Sequence, residues 1–198
     1  MIEYYRKADF KKSLWSGGET MELLLLPHGT SYKERNFLAR LSSATLAESS
    51  SVFTHLERIR RFITPITHPF LLEVNGKTPF LLFPFEVFEF SGSDDVRSYG
   101  MSVDFNLMLS EDRSGGWMKT LKKCSIDEKN TEKNAMQKSE LHLEKDDVFW
   151  MFSYFQNKVI LDDEEYEMDE YSLLVAKDTS KDIMFSSRES LIYGCIKL

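Results

Sequence analysis

Arginines set inside apolar, strand-like runs are the first residues of this sequence that could do chemistry. Arg40 shares an alternation face with Leu38, Ser42, Ala44 and Leu46, and the opposite face (Phe37, Ala39, Leu41, Ser43, Thr45) is equally apolar or small. A guanidinium inside such a strand needs a partner, because burying an unpaired cation is costly. The partner is either a protein carboxylate or an anionic ligand. Arg61 raises the same question between Ile59 and Ile63, while Arg58, Arg60 and Phe62 occupy the other face. The guanidinium fork matches a carboxylate through two parallel hydrogen bonds, so two such arginines on neighbouring inner strands would hold a carboxylate or dicarboxylate. Structural ion pairs with Glu22 or Asp104 are the competing reading. Glu22 falls on the face of Thr20, Leu24 and Leu26. Asp104 and Asn106 share a face with Met108, opposite Val103, Phe105 and Leu107. That pair forms either a polar outer face or the floor of a pocket, and periodicity does not separate the two.

Other chemistries lack a pattern. His28, His55, His68 and His142 are dispersed, with no His-x-His, His-Glu-x-x-His or Cys-x-x-Cys spacing, so neither a metal nor a cofactor is expected. Gly-x-Ser-x-Gly and P-loop motifs are absent. Turn chemistry accounts for Gly17-Gly18 and Gly115-Gly116.

The elements that must position these residues are strands. Apolar segments of strand length run Met21–Leu26, Phe37–Leu46, Ile59–Ile66, Pro69–Val74, Pro79–Phe90, Met101–Leu109, Val148–Phe155, Lys158–Leu161, Tyr171–Ala176 and Ser190–Leu198, with shorter ones at Leu141–Leu143 and Ile183–Phe185. Asn75-Gly76 is a strong hairpin signal, since both residues tolerate positive φ. Trp117–Lys123 fits a short helix or a strand. Ser125–Ser139 reads as a solvated connection. A dozen strands and little helix predict an all-β barrel or sandwich.

Composition bounds the partners. The 198 residues carry 25 Lys+Arg against 32 Asp+Glu, a net charge of −7, so no general positive field gathers nucleic acid. Seven acidic side chains and no basic one lie between Asp162 and Tyr171. That stretch lacks the ligand pattern of a calcium loop and reads as a solvated turn and strand edge, with a partner patch or weak cation site as the alternative. No run is long and apolar enough to cross a bilayer as a helix, and no export signal follows Arg6, Lys7, Lys11 and Lys12. Nothing requires Cys124 and Cys195 to pair, so a reducing cytoplasm is the expected compartment.

Five motifs in order resemble one family. Trp15-Ser16-Gly17-Gly18-Glu19-Thr20-Met21-Glu22 is similar to the Trp-x-x-Gly-x-Thr-x-Glu opening of the HutD/Ves proteins, and Arg40-Leu41-Ser42-Ser43-Ala44 resembles their Arg-x-Ser-x-Ala strand. Phe53-Thr54 with Arg61 resembles the Phe-Ser…Arg block. Phe85–Gly92 resembles the Pro-Phe…Phe-x-Gly segment, and Gly100…Asp104-Phe105-Asn106-Leu107-Met108 the Gly…Asp-Phe-Asn-Leu-Met signature. The resemblance covers residues 15–108; residues 109–198 match only in general character. Departures occur at Ser51-Val52, where the family has Gly-Pro, at Leu56-Glu57-Arg58, where it has a Phe-Pro-Gly turn, and at Ser93-Asp94-Asp95, where a Gly-Asp pair is usual.

The resemblance implies a cupin-type β-barrel of two similar lobes (bicupin) in one chain, with lobes of roughly 1–92 and 93–198, and a protein without an established enzymatic activity. Relatives encoded with histidine-utilisation enzymes are thought to sense or buffer a pathway intermediate, such as a formylated amino acid or urocanate. The expected function is therefore a metal-free, cytoplasmic small-molecule binder. Arg40 and Arg61 engage a ligand carboxylate, and Asp104 and Asn106 take its polar end. Trp15, Phe53 and Phe105 exclude water, although alternation puts Phe105 on the face opposite Asp104. Thr20 and Glu22 lie on the strand adjoining an entrance formed by Trp15–Gly18, and Ser42 is a further ligand-binding residue. The expected partner is a small carboxylate-containing metabolite, with no nucleic acid and no membrane, and with a homodimer allowed for. The alternatives are an enzyme using Glu22 or Asp104 as general base, and a scaffold or regulatory partner acting through residues 162–171.

Overall fold

Short β-branched and aromatic runs, each closed by a turn residue, build an all-β chain. The computed structural model describes residues 1–15, 17–123, 137–177 and 181–198. In chain order the strands are β1 (Ile2–Tyr5), β2 (Lys11–Trp15), β3 (Gly18–Leu26), β4 (Ala39–Leu46), β5 (Ser50–Val52), β6 (Ile59–Pro65), β7 (Phe70–Val74), β8 (Phe80–Leu82), β9 (Phe88–Ser91), β10 (Val96–Tyr99), β11 (Ser102–Ser110), β12 (Gly115–Leu121), β13 (Gln137–Leu143), β14 (Val148–Ser153), β15 (Asn157–Leu161), β16 (Glu164–Met168), β17 (Ser172–Ala176), β18 (Lys181–Ser187) and β19 (Leu191–Lys197). One 3-10 turn, Lys7–Asp9, is the only helical element among the described residues. None of their helices is long and apolar enough to cross a membrane.

The chain forms two compact units, Phe10–Met118 (with Leu198) and Met1–Asp9 with Lys119–Lys197. The division falls inside β12, downstream of the lobe boundary near 92/93 read from the sequence. The reason is pairing: β11 lies between β4 and β6 over almost its whole length and stays with them.

In the unit Phe10–Met118, an antiparallel six-stranded sheet (β2-β3-β4-β11-β6-β9) stands with an antiparallel four-stranded sheet (β5-β10-β7-β8). Their inner faces share one apolar cluster. Leu46, Ile63 and Phe90 come from the larger sheet, and Phe70, Leu72, Leu82 and Val96 from the smaller. The unit is thus a two-sheet sandwich of the cupin type rather than a single closed barrel. The other unit repeats the scheme with β1-β17-β14-β19-β12 and β13-β18-β15-β16. There Phe185 packs its ring 5.4 Å from Phe149 and 4.8 Å from Tyr193, joining the two sheets.

Several expectations change in detail. Pro79–Phe90 is two strands, because Phe85 turns the chain with φ 61°. Asn75 and Gly76 both take positive φ as expected, but the loop from β7 to β8 is longer than those two residues, and the Asn75 side chain is tied to Asp94 and Asp95. Trp117–Lys123 is largely strand. The acidic stretch 162–171 is mostly a turn and the edge strand β16, where Lys158 meets Glu165 at 2.6 Å. Cys124 and most of 125–139 lie outside the described residues. A bulge between Glu22 and Leu24 reverses the faces of β3, so Thr20 and Glu22 share a face with Leu25 rather than with Leu24 and Leu26.

Candidate functional site

Cross-strand register assembles the site. Directly opposed residues of antiparallel strands point to one side. Met108, near the C-terminal end of β11, is opposite Arg40 on β4 and Arg61 on β6, so the two guanidiniums flank it. Two residues further on, Asn106 is opposite Ser42, which in turn is opposite Glu22. Two more bring Asp104 beside Ala44, which faces Thr20. Asp104 and Asn106 are therefore a pocket floor, not an outer face. Residues more than sixty positions apart in the chain become neighbours through this register alone.

These side chains line a cavity of about 310 Å³ within the unit Phe10–Met118. Of the expected site residues, Trp15, Thr20, Arg40, Ser42, Phe53, Arg61, Asp104 and Asn106 line it. Glu22 does not: its carboxylate turns to Arg40 instead. Phe105 is fully buried on the opposite face of β11 and excludes no water from the cavity. Trp15, partly exposed, lies across Gly17, where a Cβ would meet its ring. Ser16 lies outside the described residues.

The two arginines differ. Arg40 donates from Nε to Glu22 Oε2 at 2.9 Å and from Nη1 to Ser42 Oγ at 2.8 Å, and its guanidinium covers the Tyr32 ring at 4.3 Å. Its charge is matched inside the protein. Arg61 forms no ion pair with a carboxylate among the described residues. Its Nη1 donates to the Thr54 carbonyl at 3.2 Å and its Nη2 to Asn106 Oδ1 at a long 3.5 Å, while Nε–H is buried without an acceptor among the described residues. Phe53 and Phe90 stack against the guanidinium at 5.2 and 4.9 Å, a placement that favours a cation without supplying a counter-charge. Phe90 reaches it because β9 pairs Phe90 with Arg61. Burial lowers the Arg61 guanidinium to about 10, against the pull of Tyr32 and Asp104, and it stays a cation at neutral pH.

Asp104 is the fourth charged group. Its Oδ1 accepts from Asn106 Nδ2 at 2.8 Å and from the Ala44 N–H at 3.3 Å. Arg61 reaches it only through the Asn106 amide. Burial pushes the Asp104 carboxyl up to about 7, opposed by the Ala44 N–H, Arg61 and Asn106. The floor therefore carries a carboxyl that is protonated in part of the molecules at neutral pH, beside a guanidinium with no direct ion pair among the described residues. Around it the lining is aromatic and hydroxyl-bearing, with Trp15, Tyr32 and Phe53 beside Ser42, Ser51 and Thr20.

Arg61 keeps its position by an unexpected route. Leu56-Glu57-Arg58 turns with Arg58 at φ 60°, the left-handed region that Gly would take without strain. Gly92, whose N–H bonds to the Ile59 carbonyl, closes the same corner; a Cβ there would meet the Leu56 carbonyl. Sequence reasoning missed Tyr32, Ser13, Leu14, Ser51, Thr54 and the lining role of Met108. Tyr32 sits in the irregular segment between β3 and β4, where alternation carries no signal. Ser51 belongs to the three-residue β5, too short to show a period. Its Oγ is buried without a partner among the described residues, a second unsatisfied group on the lining. The four histidines are exposed and separate, and no group of three metal-ligating side chains occurs among the described residues.

The family model described as HutD matches residues 7–190. Among solved structures, HutD from Pseudomonas fluorescens SBW25 (formate condition) aligns with TM-score 0.77 and 22% identity over 100% of this chain and 98% of that one. A conserved protein of unknown function from Pseudomonas aeruginosa PAO1 aligns with TM-score 0.77 and 18% identity over 100% and 98%. A bacterial pirin from Escherichia coli, in complex with nickel(II), aligns with TM-score 0.62 and 8% identity over 100% and 99%, a likeness of fold. No curated protein matches the chain.

Proposed function

This chain belongs to the HutD family, and from that premise we propose that it is a cupin-like small-molecule-binding protein that senses or buffers a carboxylate metabolite. The observation that carries the reading is Arg61: a buried guanidinium at a cavity, with no ion pair to a carboxylate and with Nε–H left over among the described residues. A buried cation in that state is costly, and a ligand carboxylate would remove the cost. Arg40 contributes through the edge that its bonds to Glu22 and Ser42 leave free. Asn106 and the hydroxyls of Ser42, Ser51 and Thr20 supply neutral hydrogen bonds. Tyr32, Phe53 and Trp15 cover the organic body. The cavity volume of about 310 Å³ is at the small end of ligand sites, which favours a metabolite of few heavy atoms. The cytoplasm is the compartment this reading assumes.

Isothermal titration calorimetry with a panel of monocarboxylates and dicarboxylates, formate included, tests the proposal. Arg61→Ala should weaken binding by about tenfold to a hundredfold, the value of a hydrogen bond to a charged group. Equal binding by Arg61→Ala and the parent chain would remove Arg61 from the mechanism.

A further inference from the structure

The charges around the cavity can be counted element by element. From β4, Arg40 faces the floor and is neutralised by Glu22 of β3 at 2.9 Å. From β6, Arg61 brings a cation that forms no direct ion pair with a carboxylate among the described residues. From β11, Asp104 brings a carboxyl whose hydrogen bonds come only from neutral groups, the Ala44 N–H and the Asn106 amide. Both those bonds are to Oδ1, and no partner from the described residues holds Oδ2. Ser13, Leu14 and Trp15 of β2 add no charge, and the segment carrying Tyr32 adds only a phenol. Two states follow. With Asp104 ionised the cavity is neutral overall; with Asp104 protonated it carries a single positive charge.

We infer that Asp104 sets the charge of the accepted ligand: the cavity takes a monoanionic carboxylate together with one proton, and refuses dianions. The inference rests on the carboxylate-binding reading and narrows it. An anion placed on Arg61 lies over the same floor as Asp104, and two carboxylates sharing one site do not both stay ionised. Binding therefore draws a proton from solvent onto the Asp104 carboxylate, while the ligand enters ionised and no covalent bond changes. The protonated carboxyl then has an O–H to donate, and a ligand oxygen is the available acceptor. A dianion brings a second negative charge for which the cavity holds no cation, since Arg40 is already matched by Glu22. The carboxyl's position near the middle of its titration, at about 7, makes the uptake large in the neutral range.

The test is calorimetry of the whole chain with acetate and benzoate as monoanions and malonate and succinate as dianions, between about pH 6 and pH 8. Titration in buffers of different ionisation enthalpy counts the protons taken up. The wild type should take up close to one proton per monoanion at about pH 8 and much less at about pH 6, with affinity about tenfold weaker at the higher pH. Malonate and succinate should bind more weakly than acetate at about pH 8. Asp104→Asn, which keeps the acceptor for Ala44 and Asn106, should bind the monoanions with a flat pH profile and no uptake. His55→Asn, changing the exposed imidazole beside Thr54, should leave the uptake intact. Monoanion binding by the wild type without proton uptake, or succinate binding as tightly as acetate, would overturn the inference and leave the carboxylate reading standing. Failure of every probe to bind across the whole pH range would overturn that reading itself, and the inference with it.

Discussion

Asp104→Asn should stabilise the protein, and by an amount that depends on pH. The Asp104 carboxyl lies at about 7 in the folded chain against an ordinary value of 3.8, because burial disfavours its ionised form more than Arg61 and the two hydrogen bonds favour it. The folded pKa is raised, so between those values the folded chain keeps a proton that the unfolded chain has lost. Stability from this group is fully present below the unfolded value, declines as pH climbs through the interval, and is gone above about 7. At about 1.4 kcal/mol per pH unit, the shift amounts to an upper value on the order of 4 kcal/mol. Asparagine does not titrate and retains the Oδ1 acceptor used by Ala44 and Asn106. Urea unfolding of both chains at several pH values between about 4.5 and 8.5 gives the difference in stability, in which other titrating groups cancel. That difference should grow in favour of Asp104→Asn as pH rises and level off above about pH 7. A difference that stays constant across the range would show that Asp104 is ionised throughout, and would refute the argument that burial outweighs Arg61.

Three further outcomes are expected. Glu22→Gln removes the carboxylate from buried Arg40 and should destabilise the chain by about 1–3 kcal/mol, read as a lower urea midpoint; a change within error would mean that Ser42 and Tyr32 satisfy Arg40 alone. Arg58→Gly relieves the left-handed backbone at φ 60° and should raise stability by up to about 1 kcal/mol, since the exposed pair of Arg58 with Asp112 contributes little; thermal unfolding with a lower midpoint would contradict the strain argument. Gly17→Ala should push the Trp15 ring off its seat and increase quenching of Trp15 fluorescence by acrylamide, measured against a Trp15→Phe control; unchanged quenching would place the ring elsewhere.

Much of the candidate site was legible because period-two alternation is a local property. Spacing alone put Arg40 with small and apolar neighbours, Arg61 between two isoleucines and Asp104 with Asn106 on one face; which of these faces lines the cavity came from the cross-strand register. The motif order from Trp15 to Met108 pointed to the HutD family and a cupin-like fold, and both hold. The face of Glu22 was misread beyond its immediate neighbours because a bulge adds a residue to β3, and no residue type in Met21–Leu26 marks one. Tyr32 left no trace, since irregular segments carry no period.

Residue types and their alternation by themselves pointed to a chain of strands in which Arg40 and Arg61 share faces with apolar or small residues. Which guanidinium is ion-paired, which has no carboxylate partner among the described residues, and how far burial raises the Asp104 carboxyl depend on the tertiary structure. The reason is that all three depend on distances between groups brought together by cross-strand register, and on the removal of water from around them.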